Sequence, residues 1–176
     1  MRYVIVSVVK GEGGLFNNNM RKDIYEKFKV KSSKLPAHFT IKAPFEYDKD
    51  ISELEDNIEN FCGRNKKTSY VMDKYNHFDD RVIYMNVNMS EEGQRVHDEL
   101  IDVLDKFSYI SFKENDGKNK IFHVTLSSKK LRSIYNDLWE YVNNYPFSFK
   151  CYFDNVCIYR WEDYTWKLHR EFKFHD

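Results

Sequence analysis

Two short strings, His38-Phe39-Thr40-Ile41 and His123-Val124-Thr125-Leu126, repeat one chemical idea 85 positions apart. Each reads His, apolar, Thr, apolar. In an extended strand successive side chains point to opposite faces. His38 and Thr40 therefore share one face while Phe39 and Ile41 share the other, and His123 and Thr125 stand likewise against Val124 and Leu126. An imidazole with an ordinary pKa of about 6.5 takes or gives a proton near neutral pH. A hydroxyl beside it can donate to an oxyanion. One string supplies half of an acid–base site for a phosphodiester. Two supply a base for the attacking oxygen, an acid for the departing one, and two donors for the non-bridging oxygens. A single match of this kind arises readily by chance, and a second in an equivalent setting far less so.

Such a set suits a 2′,3′-cyclic phosphate, whose strained ring already holds its leaving group, so that acid–base catalysis opens it without a metal. The chain carries no H-x-H, no H-E-x-x-H and no His/Asp cluster at ligand spacing, and we expect neither metal nor cofactor. Gly11-Glu12-Gly13-Gly14 lacks the Lys that completes a phosphate-binding loop and reads as a turn, which argues against kinase and ATP-dependent ligase chemistry.

The elements that must position these residues follow from apolar period and turn residues. Tyr3–Val9 reads as a buried strand, then Met20, Ile24 and Phe28 form a helical stripe ended before Pro36. The first His strand follows. Ser52-x-x-Glu55 resembles a capping box for a helix burying Leu54, Ile58 and Phe61. Thr68–His77 and Val82–Met89 read as a hairpin turning at Asp79-Asp80-Arg81. Ser90 caps a helix with Val96, Leu100, Val103 and Phe107 on its stripe. A polar loop, 113–120, precedes the second His strand, Ile121–Ser127. A helix from about Lys130 buries Leu131, Ile134, Leu138 and Val142 before Pro146, and a last hairpin runs Phe147–Trp161, turns at Glu162-Asp163 and returns to Phe174.

Strand, helix, His strand, helix, strand is thus written twice. His38 lies 42 positions before Asp80, and His123 lies 40 before Asp163. We expect an α+β fold, a bilobal duplicated domain of two mostly antiparallel sheets with helices outside and a central cleft. The chain 1–176 forms one domain of pseudo-symmetric halves, about 1–81 and 82–176.

Composition narrows the setting. Lys plus Arg and Asp plus Glu balance at 28 each, so net charge advertises neither a long nucleic-acid footprint nor a membrane surface. Aromatic residues make up 17%, an enrichment that accompanies abundant Lys, Asn and Ile and reads chiefly as compositional bias. Cys62, Cys151 and Cys157 form no C-x-x-C and leave one over, pointing to a reducing compartment. Met1–Val9 is too short for a secretory core and nothing approaches a membrane span, so a soluble cytoplasmic protein is expected.

From Tyr3–Val9 through H-F-T-I-K-A-P-F at 38–45 and H-V-T-L-S at 123–127, the chain resembles the 2H phosphoesterase superfamily, which includes bacterial 2′-5′ RNA ligase-like proteins and cyclic nucleotide phosphodiesterases. The resemblance implies a bilobal fold with both His and both Thr lining a central cleft. It also implies that His38 acts as acid to the 3′ oxygen and His123 activates water, leaving a 2′-phosphate, with Thr40 and Thr125 on the phosphate. Relatives often carry Arg shortly after the second motif, where Ser128 and Lys129 stand here.

Around the motifs, Lys42 and Ser127 continue the reactive faces if the strands stay regular, and each is a candidate phosphate contact or a plain strand-end residue. Phe45, Tyr152, Tyr159 and Trp161 are candidates for stacking on a base, with core packing the alternative. His77, His97, His169 and His175 read as surface residues, Lys66-Lys67 and Lys129-Lys130 as solvated faces, and Cys151 and Cys157, which share strand parity, as inert buried thiols. The expected activity is metal-independent hydrolysis of a 2′,3′-cyclic or 2′-5′ phosphodiester on an RNA end or small nucleotide. Two rivals are a module that binds a nucleotide or RNA end without turnover, and reversible 2′-5′ end joining.

Overall fold

Both His strands lie at sheet edges, and the rest of the fold brings those two edges together. The computed structural model describes residues 1–118 and 120–176; Asn119, within the polar loop 113–120, lies outside the described residues. The described elements are β1 (Arg2–Val8), α1 (Gly11–Phe28), β2 (His38–Glu46), α2 (Ser52–Cys62), β3 (Thr68–Phe78), β4 (Val82–Met89), α3 (Glu91–Leu104), β5 (His123–Ser127), α4 (Tyr135–Asn143), β6 (Ser148–Phe153), β7 (Asn155–Glu162) and β8 (Thr165–Lys173), with a short 3-10 turn at Arg132–Ile134. Two four-stranded sheets form, in the orders β2-β1-β7-β8 and β5-β4-β3-β6. Every pairing is antiparallel. This is the expected α+β architecture. Helix α1 packs on β5 and β6, and α2 on β7 and β8.

The chain passes between the sheets twice. After α2, strand β3 pairs with β4 in the second sheet; after β6, strand β7 pairs with β1 in the first. The single strand expected over Phe147–Trp161 is therefore two, broken at Asp154. Asn155 holds the break: its side chain accepts from Val8 N and donates to Val8 O, both at 2.8 Å, continuing the β1 ladder with an amide in place of backbone. The Asp-Asn pair is the local signal for that corner, since both side chains bond nearby backbone readily.

Three local expectations are corrected. Gly11–Gly14 is the first turn of α1 rather than a loop. A Cβ on Gly13 would lie 2.8 Å from Met72 Cε and 2.9 Å from Cys151 Sγ, so its glycine is there for close helix-to-sheet approach. Ser52 does not cap α2: it is the first helical residue, the cap position falls on Ile51 with no side-chain bond, and Asp50 just before it accepts from Ser52 N at 3.1 Å. The helix expected from Lys130 starts as a 3-10 turn and becomes α-helical only at Tyr135, because Lys130 sits in the left-handed region at φ 59°. Ser90 caps α3 as its sequence indicates, accepting from Gly93 N at 3.0 Å. Phe107 lies beyond the end of α3 yet remains buried.

The main core is continuous between the sheets and their helices, with Phe39 at its junction. The Phe39 ring meets Phe153 at 5.3 Å, Phe122 at 5.6 Å and Tyr70 at 5.8 Å. Large side chains buried this fully each contribute roughly 1.5–3 kcal/mol. Thus the residue between His38 and Thr40 fastens the reactive strand to the second sheet. A smaller apolar cluster, Val4, Val6, Leu35, Cys157 and Tyr159, covers the opposite face of the first sheet. Cys151 and Cys157 lie in different sheets, so they do not share a strand. All three thiols are free and buried, and burial pushes Cys62 and Cys157 up to about 12, which disfavours thiolate. Among the described residues, no helix is long and apolar enough to cross a membrane.

Candidate active site

Strands β2 and β5 show the same burial sequence: His half-buried, apolar buried, Thr half-buried, apolar buried, then one more buried residue. That last break in alternation is a β-bulge in each strand. Val6 pairs with Thr40 but Ile5 with Lys42; Tyr84 pairs with Thr125 but Ile83 with Ser127. One extra residue after each Thr turns the next side chain inward. Lys42 and Ser127 therefore leave the reactive face, contrary to the expectation for regular strands. Lys42 is 4% exposed and Ser127 0%.

The two imidazoles are held alike. His38 Nδ1 lies 2.7 Å from the carbonyl oxygen of Pro36, and His123 Nδ1 lies 2.8 Å from that of Ile121. A carbonyl only accepts, so each Nδ1 carries the hydrogen and each Nε2 keeps its lone pair. Burial pushes His38 down to about 4, opposed by the Pro36 carbonyl and assisted by Arg21 and by His123. Burial likewise lowers His123, opposed by Ile121 O and assisted by Lys120. At neutral pH both rings rest uncharged, and an anionic phosphate would supply the counter-charge that lets one hold a proton.

A cleft of about 670 Å³ opens beside them, lined by Thr40 and Ala43 from β2, Phe78 from β3, Asn115 and Asp116 from the polar loop, and Lys120, Ile121, Phe122 and His123. Thr40 and His123 stand in its wall; His38 and Thr125 do not, and flank it along β2 and β5. β2 and β5 pack against each other. His123 is seated by two rings, Tyr84 at 5.0 Å and Phe78 at 5.1 Å.

A buried charge cluster closes one end. Lys120 Nζ donates to Thr40 O at 2.9 Å and Ile41 O at 2.7 Å, and lies 3.5 Å from Asp116 Oδ1. Lys42 Nζ donates to Asp116 Oδ2 at 2.6 Å. An edge strand with a bulge leaves main-chain carbonyls unpaired, and Lys120 answers two of them. Nothing in the sequence marks Lys120 or Asp116 as part of this site; both come from a polar loop whose partner strand is 73 to 80 positions away. On the other side, Asn17 Nδ2 of α1 reaches Thr125 O at 3.4 Å, so both motif Thr carbonyls accept from a side chain that belongs to neither sheet.

Of the stacking candidates, Phe45 and Tyr159 are buried, Trp161 packs on Trp166 at 5.2 Å and Tyr152 is exposed on β6; none lines the cleft, and Phe78 does. His97 is not a surface residue. It is fully buried on α3, its Nδ1 3.2 Å from Asp98 Oδ1 and its ring 4.7 Å from Phe122, and burial pushes it down to about 4. His77, His169 and His175 are exposed as expected. No group of three or more His, Cys, Asp or Glu side chains converges as a metal site among the described residues.

An α+β frame thus packs its two H-x-T strands against each other, with Thr40 and His123 in the wall of the cleft. The family model for the 2′-5′ RNA ligase superfamily matches residues 18–165, and the chain belongs to that superfamily. Among curated proteins, none is similar enough in sequence to match. The fold is similar to TT0787 of Thermus thermophilus, with a TM-score of 0.72, 10% identity, and coverage of 99% of this chain and 98% of that one. E. coli LigT in its apo form gives a TM-score of 0.61 at 12% identity over 99% and 98% of the two chains. LigT complexed with 3′-AMP gives 0.57 at 11% identity over the same shares.

Proposed function

We propose that the protein hydrolyses a 2′,3′-cyclic or 2′-5′ phosphodiester at an RNA end or on a small nucleotide, with His38 and His123 as its acid–base pair. Membership in the superfamily supports a phosphoesterase, and the LigT complex with 3′-AMP supports a nucleotide as ligand. The observation that carries the reading is the matched seating of the two rings, Nδ1 on a carbonyl two residues upstream and Nε2 available in both.

In the forward reaction, water attacks phosphorus and gives its proton to Nε2 of His123. His38 takes up a proton at Nε2 together with the anionic substrate; as the P–O bond to the leaving oxygen breaks, that oxygen receives this proton, and the proton left on His123 returns to solvent. Thr40 and Thr125 hydroxyls donate to the non-bridging oxygens, where charge grows. Each positioned proton transfer accounts for roughly 10²–10⁴-fold in rate. No cofactor enters these steps. The free buried thiols fit a reducing compartment such as the cytoplasm.

The superfamily's name favours one further reading, joining of RNA ends, in which a free 5′-hydroxyl takes the place of water: it attacks the cyclic phosphate and gives its proton to His123, while the ring P–O3′ bond breaks and the 3′ oxygen takes a proton from His38. Chromatography of products from 2′,3′-cyclic AMP, 2′-5′ oligoadenylate, and a cyclic-phosphate end mixed with a 5′-hydroxyl RNA separates the two. Monophosphate release from the first two supports hydrolysis, a 2′-5′ linked product supports joining, and no product from any of them removes the enzyme reading.

A further inference from the structure

The chain as a whole is charge-balanced, yet folding gathers cations in two hollows apart from the Lys42–Asp116–Lys120 cluster. One hollow of about 450 Å³ is lined by Arg21, Lys22, Lys31 and Lys34 among polar and apolar residues. A second, of about 430 Å³, is lined by Arg81, Lys130 and Arg132. No acidic side chain lines either, among the described residues. The segments forming them touch: Ser128 N lies 3.5 Å from Lys31 O. Both are continuous with the reactive strands, since Lys31–Leu35 leads into His38 and Ser128–Arg132 leaves Thr125.

The cations have different duties. The Arg21 guanidinium is spent on Ser32 Oγ and the carbonyls of Ser33 and Leu35, fixing the first segment. Arg81 and Arg132 face Asp79 at 2.8 Å and Asp80 at 3.3 Å. Lys22, Lys31, Lys129 and Lys130 are exposed and have no carboxylate partner among the described residues. Three lysines on two adjoining segments, with Lys22 beside them on α1, form a local field for a polyanion on a net-neutral chain.

We propose that this face binds the phosphodiester backbone of a single-stranded RNA whose terminal phosphate lies between His38 and His123. The preferred substrate is then an RNA end several nucleotides long, not a mononucleotide. This rests on the reading of the site given above. The charges are exposed amines with one exposed ring, Tyr25, beside Lys31 in the first hollow; contact is to phosphates, and a stack on Tyr25 accepts any base, so binding is indifferent to base sequence.

Fluorescence anisotropy with labelled dinucleotide and octanucleotide oligouridylates ending in 3′-phosphate tests it without turnover. The octanucleotide binds more tightly by about tenfold or more at low salt, and its log affinity falls against log salt with a slope of about −2 to −3, since each phosphate neutralised on a single strand contributes roughly 0.7. The variant Lys31→Gln/Lys129→Gln/Lys130→Asn loses the length preference, and its slope is shallower by about 2. Equal affinity for both lengths, or a variant that matches the parent in both respects, overturns the proposal. So does binding to phosphatidylserine-containing vesicles with no length-dependent RNA binding. Length-dependent binding by a protein with no hydrolytic activity would instead overturn the hydrolysis reading and leave this one standing.

Discussion

Lys120 donates to the main-chain oxygen of Thr40 at 2.9 Å, fastening the loop that leads into His123 to the strand that carries His38. It is a positioning residue. Lys120→Met leaves the Thr40 and Ile41 carbonyls without their donor, and kcat/KM for a cyclic nucleotide falls roughly 10- to 100-fold, the cost of a misplacement of about 1 Å. The same change removes a cation that holds His123 down. The upper limb of the kcat/KM profile therefore moves to higher pH, and Lys120→Arg restores part of the rate. A rate loss with an unmoved profile assigns Lys120 a structural role only.

Asp116 lies between two buried lysines, with Lys42 Nζ at 2.6 Å and Lys120 Nζ at 3.5 Å. Removing one partner of a buried ion pair costs about 3–5 kcal/mol because the other charge is left uncompensated. Asp116→Ala lowers unfolding stability by about that much in urea titration. A loss below about 1 kcal/mol would show the cluster to be hydrated and unimportant to the fold.

Activity follows pH in an unusual range. His38 is held near 4, and His123 is also lowered by burial. The free enzyme's two limbs, seen in kcat/KM, both fall below about pH 6.5, as macroscopic values of the pair. The kcat profile lies at higher pH, because bound phosphate favours the imidazolium. Free-enzyme limbs above pH 6.5 would contradict the burial that sets them.

Stability follows pH in the same direction. In the unfolded chain His38 and His97 take protons below about 6.5, while the folded state refuses them until about 4. The stabilisation is whole above about pH 6.5 and is lost as pH falls toward 4, on the order of 3 kcal/mol for fully buried His97 and less for half-buried His38. Urea midpoints at pH 7.5 and 4.5 measure the loss, and His97→Gln reduces it by its larger share.

The proposed reactive pairs are legible in the sequence because alternation along a strand is a local property: His38 with Thr40 and His123 with Thr125 face together in any regular strand. The bulges after them are not, since they depend on pairing with β1 and β4. Lys42 therefore turns away from the face that regular alternation predicts for it. Lys120 and Asp116 give no signal at all, because the strand they meet is far off in sequence. His97 is legible in principle: it shares a face with Leu100, Ile101 and Leu104 on α3, an i, i+3, i+4, i+7 set, and its polarity masks that period. Phe147–Trp161 reads as one strand by composition, and only Asp154-Asn155 hints at the corner between sheets. Gly13 reads as a loop residue because its close contacts are with residues 59 and 138 positions away.

The most direct test is turnover of 2′,3′-cyclic AMP by His38→Ala, His123→Ala and the double variant. Groups that act as one acid–base unit give single losses of roughly 10²–10⁴-fold and a double loss little larger than the greater single one. Turnover that survives either single substitution at near-parental rate contradicts a shared proton-transfer pair at this cleft.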